Sequence, residues 1–210
     1  MRFGIALPPD GPLAGGTALE AAARAADELD YSSVWAASLQ QLLAVTAAAD
    51  RVPTGLVATG REAWDDVGPE AIRLLRSRLR YVGGTPRALL AARRALPGSL
   101  LLDTSDAAPN AGRADDAGFG GVQLDGWSPG LGSPLVLPPR RAVGSRLLLI
   151  VRMTGSATTA DLRAALEGRV DELVVGLPDA DTLDEQLAGF ADVAERVAAL
   201  TQTWVAQPVR

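Results

Sequence analysis

The sequence contains no cysteine, no histidine and no lysine; all 20 of its basic residues are arginine. Without Cys and His there are no disulfides, no thiol nucleophile, no zinc site of the usual nitrogen and sulfur ligands, and no Ser-His or Cys-His dyad. Without Lys there is no Schiff base, hence no ordinary pyridoxal phosphate chemistry, and no phosphate-binding loop of the type that ends in Lys. Asp, Glu, Tyr, Ser, Thr, Arg, the backbone or a bound cofactor must therefore carry any reaction.

A basic stripe is also missing. Acidic residues number 25 and the formal charge is -5. That balance argues against a nucleic-acid partner. The densest arginine group, Arg73, Arg76, Arg78 and Arg80, reads as the solvated side of a helix. No apolar run reaches the length of a membrane span, and the start lacks the layout of a signal peptide. A cytoplasmic protein with no membrane partner is expected. What is present is a globular composition: 48% hydrophobic, with mean hydropathy +0.13, over 210 residues. This suits one domain, 1–210, with room for a sizeable core.

Two periodicities alternate along the chain. Short apolar runs at 2–7, 33–37, 55–59, 100–103, 122–125, 147–153 and 171–176 read as seven buried strands. Helical patterns separate them. Thr17 and Glu20 have the spacing of a capping box, as do Thr182 and Glu185. Pro follows Gly68 and Thr85, a good first helical position. A short helix is expected over 109–117 and another over 159–167. Residues 126–146 crowd Gly and Pro into a long irregular connection, and residues from 201 onward read as a loose tail.

Alternating strands and helices predict a mostly parallel sheet, either a small closed β/α barrel or an open doubly wound sheet. A full barrel usually needs about 250 residues. The first strand is followed by Pro8-Pro9-Asp10-Gly11 and not by a Gly-rich dinucleotide fingerprint. The expectation is α/β: a parallel TIM-like barrel, shortened and closed or nearly closed.

Several segments in order resemble the bacterial luciferase-like oxidoreductases. MRFGIALP at the start is similar to their first strand, AARAADELDYSSVWAA (22–37) to their first helix and second strand, and GLVATG (55–60) to their third. The stretch 99–127 resembles a late strand-helix-strand unit, and VDELVV the final strand. The resemblance implies a monooxygenase or oxidoreductase that uses FMN or the deazaflavin coenzyme F420 on a small-molecule substrate, as a homodimer. Family members are longer, and many carry an Asp-His pair where Ala37-Ser38 stand here. A non-catalytic flavin-binding or structural partner protein of the same family is therefore the alternative.

In a barrel the site lies at the C-terminal strand ends. Asp103 and Asp125 end strands there and are the candidate catalytic acids; the alternative is that each caps a loop. Thr104, Ser105 and Asn110 form the candidate phosphate site, with Arg113 beyond, or an ordinary helix-capping turn. Ser38 and Thr59 are candidates for the pyrimidine edge of a flavin, or hydroxyls satisfied by nearby backbone. Trp127 covers a ring or plugs the barrel. No metal site is expected.

Overall fold

The computed structural model describes residues 2–96, 100–103, 120–125, 148–167 and 170–205. The strands are β1 (Arg2–Ala6), β2 (Ser33–Ala36), β3 (Thr54–Ala58), β4 (Leu79–Gly84), β5 (Leu100–Asp103), β6 (Gly121–Asp125), β7 (Leu148–Met153) and β8 (Glu172–Gly176). Each pairs in parallel with the next, and β8 returns to β1 with Arg2 opposite Glu172, closing a barrel. The expected parallel β/α barrel is therefore complete despite its short chain. The described helices are α1 (Gly16–Glu28), α2 (Leu39–Ala48), α3 (Pro69–Arg78), α4 (Pro86–Ala95), α5 (Thr159–Glu167) and α6 (Leu183–Val205).

β4 is the strand that sequence reading missed. Ile72, Leu75 and Leu79 keep helical spacing, and no Gly or Pro separates α3 from β4, so Leu79 read as the inner face of a helix. In the structure α3 ends at Arg78 and Leu79 opens β4. Two other local expectations change. Helix α1 begins at Gly16 behind Gly15, with no side-chain cap, because the 3-10 turn Pro12–Ala14 runs almost directly into it. The Thr17 capping box does not form. The stretch from 201 is not a tail at its start, since α6 continues to Val205. Other caps behave as the sequence implies. The Thr85 side chain accepts from Ala88 N, and Pro69 and Pro86 stand in the first turns of α3 and α4. Glu185 N donates to Thr182 Oγ1 while Thr182 N donates to Glu185 Oε2, the reciprocal capping box. The expected helix at 109–117 and the irregular connection at 126–146 lie outside the described residues.

The core has an outer layer, between strands and helices, and an inner one within the barrel. Ile5, Val34, Val151, Leu173 and Phe190 belong to the outer layer, which runs from α1 round to α6. Leu56, Leu75, Val82 and Leu89 continue it under α3 and α4. The inner layer holds Ala6, Trp35, Tyr81, Ile150 and Val174. Trp35 and Tyr81 stack with ring centroids 5.6 Å apart and planes within 6°. This stack requires a glycine beside it. A Cβ on Gly55 would lie 2.6 Å from Trp35 Cδ2, and one on Gly83 would run into the Gln123 side chain.

Beneath the stack the barrel floor is polar. Glu172 is fully buried there. Its Oε1 accepts from Ser32 Oγ at 3.1 Å and from Ser33 Oγ. Trp35 Nε1 donates to Ser33 Oγ at 2.9 Å, tying the aromatic stack to the floor. Arg2 Nε lies 3.7 Å from Glu172 Oε2. Burial, then the neighbouring Glu172 carboxylate, hold the Tyr81 phenol well above its usual pKa. Tyr31 is raised too, by burial and then Asp192, and its hydroxyl donates to the Phe190 carbonyl at 2.7 Å.

Asp27, near the end of α1, ties the connection between α2 and β3 to that helix. It accepts from the amides of Asp50 (2.6 Å), Arg51 (3.0 Å) and Val52 (2.6 Å). Partial burial pushes its carboxyl up, but these amides and Arg51 outweigh that and hold it below its usual value. Replacing Asp27 by Ala strands three donors, and about 2 kcal/mol of stability should go with them. Because the folded-state pKa is lowered, this contribution is present above the ordinary carboxylate pKa and fades as pH falls through the folded value. Urea melts of wild type and Asp27→Ala at neutral and acid pH check both points. A gap between the two proteins that does not narrow on acidification would count against this role for the carboxylate.

Candidate functional site

The described strand ends place a cup at the C-terminal mouth of the barrel. Its volume is about 360 Å³, and its lining comes from the ends of β1, β2, β3, β7 and β8. Its wall mixes small residues, Ala6, Ala37 and Gly176, with the larger apolar Leu7, Val57, Met153 and Leu177, while Trp35 and Tyr81 pack within the barrel itself. Arg152, on β7, is the cation of the lining; Asp179 is on the rim. Glutamines on two helices brace the edge. Gln41 Nε2 donates to Pro8 O at 2.8 Å while its Oε1 accepts from Ala37 N at 3.0 Å. Gln186 Nε2 donates to Pro178 O at 2.7 Å. The loops after β1, β2 and β8 are thus fixed by helices behind them.

Of the candidate residues, two are fully described and both have local work. Ser38 is the N-cap of α2, its Oγ accepting from Gln41 N at 3.2 Å. Thr59 belongs to the cup lining, but its Oγ1 donates to Glu62 Oε1 at 3.0 Å. The amides of Thr59 and Gly60 also point at the Glu62 carboxylate, at 2.5 and 2.9 Å. Gly60, with φ of 83°, supplies the left-handed turn that converges them. The end of β3 is therefore an anion nest filled by the chain's own Glu62.

The candidate acids close neighbouring strands. Asp103 ends β5 opposite Val122, and Asp125 ends β6 opposite Arg152. Register thus places the two aspartates three residues out of step, about 10 Å along the strands, and puts Asp125 beside the strand position of the cup's arginine. Thr104, Ser105, Asn110 and Trp127 lie outside the described residues.

Arg152, Glu62 and Gln41 were not singled out from sequence. Arg152 had a usable signal: it is the one charged residue in the run Leu147–Met153, which is otherwise apolar on both faces. Glu62 had none, because its role depends on Gly60 turning the backbone. Among the described residues, no cluster of three or more Asp or Glu side chains is placed to hold a metal ion. No described helix is long and apolar enough to cross a membrane.

No protein-family model and no curated protein matches the chain. Solved structures do. The chain is similar to native KDPGal at 14% identity and TM-score 0.67, over 96% of this chain and 97% of that one. It is similar to a mandelate oxidase variant with a monooxide FMN adduct at 17% identity and TM-score 0.66, over 95% and 74%. It is also similar to N-acetylmannosamine-6-phosphate 2-epimerase from Clostridium perfringens at 15% identity and TM-score 0.55, over 91% and 93%. At such identities the likeness carries the β/α-barrel fold, one that hosts many chemistries.

Proposed function

We propose that the C-terminal mouth binds FMN or a deazaflavin, and that the protein is a luciferase-like oxidoreductase acting on a small molecule. The observation that carries this reading is the cup itself: a mostly apolar lining around one guanidinium, Arg152, at the C-terminal end of a closed barrel. Its volume lies within the ordinary range of ligand pockets, about 300–1,000 Å³. The short side chains of Ala6 and Ala37 leave space for a flat ring, and Arg152 suits the negative charge that a reduced ring carries on its pyrimidine edge. Arg152 already has an interaction within the protein, and the five donors of a guanidinium serve more than one acceptor.

The bound cofactor would supply the hydride or oxygen chemistry. The chain would bind, orient and exclude water. Thr104, Ser105 and Asn110, following β5, are where the sequence resemblance directs the phosphate. With no His, Lys or Cys, proton transfer falls to solvent or to a carboxylate such as Asp103 or Asp125. The mandelate oxidase neighbour supports a flavin on this fold. Chemistry through a lysine Schiff base is closed to a chain without lysine.

A second reading, a flavin binder without turnover, is favoured by one observation. The hydroxyls of Ser38 and Thr59, which face this end of the barrel, are already engaged by Gln41 N and Glu62.

Titrating the purified protein with FMN, reduced FMN and F420, read by absorbance and fluorescence, tests the proposal. Saturable binding of at least one is expected, weakened about tenfold or more in Arg152→Gln, the worth of one charge-assisted contact. Binding without turnover selects the second reading. No binding of any of the three overturns both.

A further inference from the structure

A second cavity, of about 660 Å³, opens at the opposite, N-terminal end of the barrel. Two chain segments line it: Asp50 to Pro53, leading into β3, and Ser77 to Arg80, where α3 passes into β4. Three guanidiniums belong to this lining, those of Arg51, Arg78 and Arg80, against one carboxylate, Asp50.

The three arginines are not equivalent. Arg51 is occupied, donating through Nη2 to the Asp27 carbonyl at 2.6 Å and pairing with Asp30 at 3.5 Å. Arg80 has its guanidinium 5.4 Å from the centroid of the Tyr81 ring, a contact that fixes the group without neutralising it. Arg78 is the unusual one. Its Nη1 is shut off from solvent and has no hydrogen-bond partner. Burial of Nη1 fixes that edge of the guanidinium, and the remainder of the half-buried side chain is what Arg78 presents to the cavity it lines.

The backbone is also shaped for this. Leu79 pairs with Thr54 and Tyr81 pairs with Gly55, so Arg80 is the extra residue of a β-bulge. The bulge breaks the two-residue alternation: Leu79 joins the outer core and Tyr81 the inner one, while Arg80 emerges exposed at the rim. Bulges of this kind re-aim a side chain. Here one sends a second guanidinium to the cavity that holds Arg78. The C-terminus of α3 opposes an anion with only about half an elementary charge. Asp50, Asp30, Asp27 and that half charge offset the three guanidiniums, so the arginines' placement, and not a surplus of charge, is what suits the cavity to an anion.

We propose that this N-terminal cavity binds a phosphate-bearing small molecule, with Arg78 and Arg80 on the phosphate oxygens. Planar guanidiniums match such oxygens in pairs, and the cavity is larger than a bare phosphate ion requires. The site is separate from the mouth, and the inference does not depend on the flavin reading.

Calorimetric titration of the whole protein with inorganic phosphate and with pyrophosphate, at constant ionic strength, tests this. Saturable binding is expected, weakened about tenfold or more in Arg78→Gln and partly restored in Arg78→Lys. Arg152→Gln, at the other end of the barrel, should leave it unchanged. If Arg78→Gln does not fold, Arg80→Gln serves in its place with the same expected loss. Absence of saturable binding in the wild type overturns the proposal. So does wild-type affinity in a folded Arg78→Gln or Arg80→Gln variant, or a loss confined to Arg152→Gln, which would move the anion to the mouth.

Discussion

Replacing Trp35 by alanine should remove about 3–5 kcal/mol of stability, the cost of truncating a fully buried indole that neighbours cannot move in to replace. Trp35 is the largest fully buried side chain among the described residues, and it does three jobs at once. It stacks on Tyr81, fills the space left by Gly55, and donates Nε1 to Ser33 Oγ. Strands on all sides of a closed barrel are held apart by their own hydrogen bonds, so the hole cannot collapse. For a domain of this size the midpoint of a thermal melt should fall by about 10 °C or more. A drop of only a degree or two would mean that the barrel interior repacks freely, and the central role given to the stack would be wrong.

The second large effect is expected at the barrel floor. Glu172 is buried completely, while the Arg2 side chain keeps 33% of its surface exposed. The two partners are therefore unequal. Losing the arginine leaves a carboxylate in the interior without its counter-charge; losing the glutamate leaves an arginine that still reaches water. Arg2→Met should cost about 3 kcal/mol, and Glu172→Gln appreciably less. The double variant should recover much of what Arg2→Met loses, since no uncompensated charge remains. Denaturant melts of the four proteins form the cycle. Strict additivity would show that Arg2 acts through packing alone.

Much of this architecture is legible from residues. Strands such as Leu148–Met153 and Glu172–Gly176 are apolar runs of the right length, and Pro69, Pro86 and the Thr182–Glu185 pair mark helix starts correctly. The missing strand, β4, shows where such reading fails. Arg78, Leu79 and Arg80 look helical because the bulge at Arg80 disturbs the alternation that would announce a strand. The four arginines from Arg73 to Arg80, which read as one solvated helix face, are in fact divided between α3 and β4. Trp35 falls within the apolar run 33–37, but its stack with Tyr81 depends on closure of the ring. Glu172 gives no warning either, since a glutamate at a strand start is ordinarily at the surface. The candidate site is less legible than the fold. Ser38 and Thr59 do stand at strand ends, yet what each hydroxyl binds is decided by Gln41 and Glu62. Asp103 and Asp125 do end strands, but only the pairing shows that those strands are neighbours and the two residues out of register.

The pairing of β1 with β8 has a kinetic side. These strands lie about 170 residues apart in sequence, yet every residue of Arg2–Ala6 has a partner in Glu172–Gly176. On the ribosome, β1 emerges about 170 residues before β8 and waits for that length of chain before this edge can be covered. Until then it offers free amides and carbonyls to any passing strand. Contacts of such long range also make folding slow, because the entropy of a very large loop is lost before the ring rewards it. The last step of folding should therefore be the docking of β8 and α6, and a nascent chain stalled short of residue 172 should be prone to aggregate or to recruit a chaperone.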